Sequence, residues 1–263
     1  MSRVSATGRQ RPADSVQPER GGAPDGGVPA FPLPTPRLVL FDVDYTLLRP
    51  SELFEAPGYV ELGRRFGFEL DSARWPQAER AVFDALAERR ERYGESHDDG
   101  LMIAIAEAVI GALGGEGRER IRAAALAQIE RWHLVENFDL YPDVLPCLQR
   151  LDDAGLAVGI VTNTERDLVE AIEHFGLSRF LVAVAASYEV GVMKPSALIF
   201  ERALTQAGVT APEAVMVGDS YHDDVIGAQA AGMVGILLDR PGVSTKPAPT
   251  IRSLAELPAA LGL

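Results

Sequence analysis

Two carboxylates, Asp42 and Asp44, stand directly after the unbroken apolar run Leu38-Val39-Leu40-Phe41. Such a run predicts a parallel strand buried on both faces, and open α/β sheets hold their ligands just beyond the carboxyl ends of these strands. There one carboxylate can act as a nucleophile while another, two residues on, handles a proton. Asp is also common in turns, so the pair alone is unspecific. Further segments follow in order. Thr162-Asn163 succeeds the apolar run 157–161, Lys194 lies in Gly191-Val192-Met193-Lys194-Pro195, and Asp219 lies in Val217-Gly218-Asp219-Ser220, trailed by Asp223 and Asp224. Each has a plainer alternative. Thr162-Asn163 could cap a helix, Lys194 could be a solvated charge, Gly218-Asp219 could be a turn, and Asp223 and Asp224 could complement a helix amino end. The ordered set is far more specific than its members, because strand ends of a doubly wound sheet converge on one crevice.

If that crevice handles a phosphoryl group, each residue type has a task. A hard cation such as Mg²⁺ takes oxygen ligands and bridges to substrate phosphate, which suits Asp42 and Asp219, with the main-chain carbonyl of Asp44 as a third. Asp42 can also attack phosphorus to give an aspartyl phosphate. Asp44 can then protonate the leaving oxygen and later deprotonate the hydrolytic water. Thr162, Asn163 and Lys194, with main-chain amides near residues 43, 44 and 163, can offset charge on the transferring phosphoryl oxygens. Asp224 is expected to orient Lys194 from behind, whereas Asp223 is expected to face solvent.

The elements that must position these residues can be read from periodicity. After Thr46 the apolar spacing becomes three or four for about ninety residues, a helical period. Trp75, Ala78, Val82, Ala85, Leu86 and Tyr93 form one stripe, and Ile121, Ala124, Ala125, Ile129 and Trp132 another. Segment 101–113 is apolar on nearly every side, suiting the centre of a small bundle or a subunit contact. From residue 140 onward, short strands alternate with helices near 143–154, 166–175 and 195–207, which implies a parallel, doubly wound sheet. The expected organisation is a leader over residues 1–36 too poor in aliphatics to order itself, a Rossmann-like core over 37–50 and 139–263, and an all-helical insertion over 51–138.

Bulk properties narrow the function classes. The 263 residues carry a net charge of −13, of which residues 1–36 contribute +1, so the body is acidic and opposes nucleic-acid backbones and anionic membranes. The chain has no apolar run of the ~20 residues a membrane span needs. A single cysteine, Cys147, excludes an intramolecular disulfide framework and suits a buried thiol in a reducing cytoplasm. Arg89, Arg90 and Arg92 are expected on a solvated helix face.

At its motifs the chain resembles the haloacid dehalogenase superfamily, on FDVDYT, IVTNT, VMKP and VGDSYHDD; GVMKPSALIF and GDSYHDDVIGAQAAGM are similar to its phosphoglycolate phosphatase-like branch. The resemblance covers residues 37 to about 240. It implies a Rossmann-like core with a helical cap and a Mg²⁺-dependent aspartyl-phosphate mechanism. It matches Asp42 to the nucleophile, Asp44 to the acid/base, Thr162 and Lys194 to the phosphate-binding pair, Asp219 to the metal ligand and Asp224 to the trailing acid. Tyr45 occupies a position often taken by glycine in helical-cap relatives. Halide-cleaving members lack the second aspartate, so Asp44 favours phosphate. The expected activity is hydrolysis of a small phosphorylated metabolite by a monomer or homodimer. A phosphomutase using the same core is the alternative, and a non-catalytic binding module the remote one.

Overall fold

The computed structural model describes residues 36–98 and 100–263. The expected leader therefore lies, but for Pro36, outside the described residues. The chain forms β1 (Leu38–Phe41), β2 (Leu48–Pro50), α1 (Ala56–Arg65), α2 (Trp75–Tyr93), α3 (Leu101–Ala112), α4 (Arg118–Trp132) and β3 (Phe138–Leu140). It continues with α5 (Val144–Asp153), β4 (Ala157–Thr162), α6 (Leu168–His174), β5 (Leu181–Ala186), α7 (Ser187–Val190) and α8 (Ala197–Ala207). Then come β6 (Ala214–Gly218), a π-helical turn over Tyr221–Ile226, α9 (Gly227–Ala230), β7 (Val234–Leu238), β8 (Thr250–Ile251) and α10 (Leu257–Ala260).

Six strands make one parallel sheet in the order β5-β4-β1-β6-β7-β8, and helices cover both faces, the Rossmann-like arrangement the alternating pattern predicts. All of β1 is fully buried, and its alternating side chains divide between two cores. Val39 and Phe41 pack with Val158, Ile160, Val215 and Val217 on one face, whereas Leu38 and Leu40 pack with Val161, Met216 and Phe200 on the other. This double burial is why the run reads as continuous apolar rather than alternating. From β1 the chain builds outward through β4 and β5, then crosses back to β6 on the other side. β1 is thus flanked by β4 and β6, with Phe41 level with both Ile160 and Val217.

Helices α1 to α4 have a core of their own, in which Leu62, Ile110, Leu113, Ala124 and Ala125 are buried. Both expected stripes contribute through Ala78, Ala124, Ala125 and Ile129. The chain enters and leaves this block through β2 and β3, a short antiparallel pair the helical spacing does not reveal. Arg89 departs from the expected solvated face: its guanidinium turns inward to the carbonyls of Gly94 and Ser96. Cys147 is buried on α5, and burial pushes its thiol up to about 12, as expected of a packing residue.

A polar clamp ties the core's carboxyl-terminal region to the chain just past Asp44. Arg240 forks onto Asp143 at 2.9 and 3.1 Å, donates to the Thr46 carbonyl at 2.8 Å and lies over the Tyr141 ring. Ser253 Oγ and the Leu254 amide also donate to Asp143. Burial alone would raise the Asp143 carboxyl, but these hydrogen bonds and the Arg240 charge outweigh it and hold the group below the usual aspartate range. A group lowered on folding contributes stability above its unfolded pKa of about 3.9, and that contribution is lost as pH falls through the folded value. Asp143→Asn is accordingly expected to cost about 1.5–3 kcal/mol at neutral pH. In urea melts the gap from the parent should stay constant from pH 7 to pH 5 and close only below about pH 4. A gap that closes near pH 6 would assign the effect to another group.

Candidate active site

The strand order explains why distant segments meet. Asp42 follows β1, and its amide donates to the Val217 carbonyl on β6 at 3.0 Å, so it leaves the sheet level with Gly218 and Asp219. Thr162 ends β4 on the opposite flank and is buried. Lys194 lies in the connection that crosses from β5 back to β6. Its ammonium is buried between two carboxylates, 2.6 Å from Asp42 Oδ1 and 2.6 Å from Asp224 Oδ1.

The lysine's backbone is fixed as firmly as its head. Asn163 Oδ1 accepts from the Lys194 amide at 2.6 Å, and Asn163 Nδ2 donates to the Lys194 carbonyl at 3.1 Å. The side chain of Asn163 thus clamps the loops after β4 and β5 together. Pro195 is expected to open a helix; instead it occupies the turn before α8, where the Ser196 amide donates to the Met193 carbonyl. The loop between α2 and α3 reaches the same segment. Ser96 bridges Val192, the His97 amide donates to the Gly191 carbonyl, and the Met193 amide donates to the Glu95 carbonyl.

Asp224 belongs to the π-helical turn, a form frequent at functional sites. The wider turn brings Asp224 back over Gly218, where the Ser220 amide donates to its Oδ2 at 2.9 Å. A Cβ at Gly218 would stand 2.1 Å from that same oxygen, so only glycine lets the carboxylate sit there. Asp223 is partly exposed, lies 3.0 Å from His222 and lines the same cleft as Lys194.

Charge in this cluster is unbalanced. Carboxylate oxygens of Asp42, Asp219 and Asp224 lie within 4.8 Å of one another, with Lys194 as the ammonium among them. Burial, then the charges of Asp42 and Asp224, push Asp219 well above the usual range, although it is the most exposed of the group. Asp224 is likewise pushed up, by burial and by Asp42 against the pull of Lys194. Burial alone would lower Lys194, but Asp224 and Asp42 more than offset it and keep the ammonium charged. Surplus negative charge on hard oxygen donors fits a divalent cation such as Mg²⁺. Of the three carboxylates Asp224 is the most engaged, accepting from Lys194 and from the Ser220 amide, while Asp42 accepts from Lys194 through Oδ1.

Asp44 is held separately. One nitrogen of Arg166, Nη2, donates to its Oδ1 at 2.8 Å and its Oδ2 at 3.0 Å. Burial raises the Asp44 carboxyl, and the Arg166 charge opposes that rise without cancelling it. Sequence reasoning did not single out Arg166, reading it as the first residue of a helix that begins at Leu168. An arginine in an otherwise small and polar loop four residues past Thr162 was the available signal. Tyr45 adopts φ +62°, a left-handed conformation that costs a side-chain-bearing residue about 1–2 kcal/mol. The turn demands it, since the Tyr45 amide must reach the Leu48 carbonyl while Leu47 and Leu48 both donate to Val43. This is a physical reason for glycine at that position, which Tyr45 forgoes.

A cleft of about 470 Å³ runs from Lys194 and Asn163 to the helical block, where Leu86, Leu101, Met102 and Ile105 line it. A larger groove of about 600 Å³ lies between α2 and α3, and neither cavity is lined by Asp42, Asp44, Asp219 or Asp224.

The family model for haloacid dehalogenase-like hydrolases matches residues 36–232, spanning every site segment. The chain belongs to the haloacid dehalogenase-like hydrolase family. This hydrolase is 32% identical over 209 residues to a glyceraldehyde 3-phosphate phosphatase of Methanopyrus kandleri, covering 78% of the chain and 84% of the relative. It is 32% identical to a phosphoserine phosphatase of Thermus thermophilus, at 78% and 89% coverage. In fold it is similar to the magnesium-bound HAD-hydrolase YfnB of Bacillus subtilis, with a TM-score of 0.69 and 21% identity over 88% of this chain and all of that one. Within the family it is an enzyme of the phosphatase kind. Among the described residues, no helix is long and apolar enough to cross a membrane.

Proposed function

We propose that this hydrolase cleaves phosphate monoesters of small metabolites through an aspartyl phosphate on Asp42, with Mg²⁺ as cofactor. The observation that carries the reading is the buried Lys194 ammonium, 2.6 Å from Asp42 and from Asp224, with Asp219 beside them. Asp42, Asp219 and the Asp44 carbonyl would hold Mg²⁺, which supplies the positive charge an anionic nucleophile needs near an anionic phosphate.

An Asp42 carboxylate oxygen attacks phosphorus in line with the ester oxygen, and Asp44 gives its proton to that oxygen as the P–O bond breaks. Water then enters and loses a proton to Asp44. Its oxygen bonds to phosphorus, the bond to Asp42 breaks, and inorganic phosphate leaves with the carboxylates restored. Lys194, Thr162 and the main-chain amide of Asn163 offset the charge on the phosphoryl oxygens. The helical block acts as a cap whose apolar wall, Leu86, Leu101, Met102 and Ile105, receives the leaving alcohol. That limited cleft, and relatives named for glyceraldehyde 3-phosphate and phosphoserine, favour short phosphorylated metabolites as substrates. A cytoplasmic setting accords with the buried Cys147 thiol.

The reading is tested by phosphate release from a panel of short phosphorylated acids, sugars and amino acids, first with Mg²⁺ and then with a chelator. Release should appear with Mg²⁺, fall to background on chelation and return when Mg²⁺ is restored. Isomerised sugar phosphate in place of free phosphate would turn the assignment to a mutase. Silence across the panel would turn it to a binding module.

A further inference from the structure

Arg166 is buried, and its guanidinium lies against aromatic rings. Its guanidinium carbon lies 4.1 Å from the Phe138 ring centroid and 5.4 Å from that of Trp132. Those two rings meet edge to face at 5.0 Å, and Phe54 completes the cluster at 4.8 Å from Trp132 and 5.6 Å from Phe138. All three aromatics belong to the connections of the helical block. Phe54 lies between β2 and α1, Trp132 ends α4, and Phe138 opens β3. The guanidinium therefore rests on the entry and exit of the block, with one corner on Asp44. Its Nε and Nη1 are buried and have no hydrogen-bond partner among the described residues. An arginine commits this much unpaired polar surface to a buried place only where its remaining contact matters, because each lost hydrogen bond costs free energy.

We propose that Arg166 is a positioning residue for Asp44, fixing the carboxylate against the aromatic cluster of the linkers so that its oxygen is presented to the leaving group. A guanidinium stays protonated throughout, so Arg166 passes no proton itself and acts only through the carboxylate it holds. An aspartate on a loop explores several rotamers, and a positioned acid loses much of its advantage when it can wander. The planar fork, lying over the rings and bonded at one corner, supplies an orientation that a flexible ammonium does not. The backbone is anchored too, because the Arg166 amide donates to Thr164 Oγ1 at 3.0 Å. The inference rests on Asp44 being the acid/base of the proposed reaction.

The test compares leaving groups in the full-length chain with Mg²⁺ present. An alkyl phosphate needs its departing oxygen protonated, whereas p-nitrophenyl phosphate does not. For both, kcat/KM reports the steps up to transfer onto Asp42. Arg166→Ala should lower kcat/KM for the alkyl ester roughly 10²-fold, at the lower end for loss of a general acid. For the aryl ester it should change less than about threefold, since that reaction asks nothing of the acid. Arg166→Lys should fall between parent and Ala on the alkyl ester. Phe138→Leu, which leaves Arg166 and Asp44 chemically intact, should shift the alkyl-to-aryl ratio in the same direction. If Arg166→Ala does not fold, Arg166→Lys and Phe138→Leu decide the matter. Equal losses on both esters, or no change in the ratio, would overturn the proposal. Asp44→Asn separates its failure from that of its premise. A selective Asp44→Asn with an unselective Arg166→Ala condemns only the role of Arg166, whereas an unselective Asp44→Asn removes the acid/base reading itself.

Discussion

Asp42→Asn should lower kcat by about 10⁴- to 10⁶-fold, the scale seen when a nucleophile acting within a catalytic unit is removed. The substitution is nearly isosteric, and the amide oxygen can still accept from the Lys194 ammonium that lies 2.6 Å from the native carboxylate. Packing of the buried residue is therefore preserved while the negative charge that attacks phosphorus is lost. Removing one of the clustered carboxylates also relieves repulsion with Asp219 and Asp224, so thermal stability should hold or rise. Two measurements check this together: steady-state phosphate release, and intact-protein mass after an acid quench during turnover. The parent should carry a phosphoryl adduct, and the variant should not. Mg²⁺-dependent turnover surviving in the variant would place the nucleophile elsewhere.

Lys194→Met should cost both activity and stability, for separable reasons. The ammonium is the counter-charge to Asp42 and Asp224, and methionine fills a similar volume without it. Breaking a buried ion pair by deleting one partner typically costs about 3–5 kcal/mol, because the carboxylates left behind are neither solvated nor paired. Loss of a cation that stabilises a transferring phosphoryl group should lower kcat by roughly 10³-fold. Adding Asp224→Asn to the variant removes one stranded charge, so urea midpoints should recover substantially while phosphate release should not. Parallel recovery of both would mean that Lys194 serves the fold alone.

Much of this arrangement was legible in the chain. The run 38–41 could be read as a doubly buried strand because β1 has neighbours on both edges and helices on both faces. Asp42, Thr162 and Asp219 could be placed along one edge of the sheet because strand-end positions in a parallel sheet follow from alternation of elements, whereas Lys194 lies beyond α7 in the β5–β6 connection. The pairing of Asp224 with Lys194 was likewise anticipated, and the structure adds that a π-helical turn over Gly218 delivers it. The β2–β3 pair escaped notice because three-residue strands are shorter than any periodicity that could announce them.

Amino-acid order by itself determined which strand is buried, that short strands alternate with helices around it, and which acids follow the strands. All of these depend on local hydrophobic period and on the short, right-handed connections that parallel sheets require. Only the tertiary structure decided how the polar groups are shared. It gave the Asn163 side chain to the Lys194 backbone, Arg166 to Asp44 and Arg240 to Asp143 and Thr46. Hydrogen bonds and ion pairs between residues 31 to 194 positions apart carry no period, and their partners are fixed by which loops the packed sheet brings within about 3 Å.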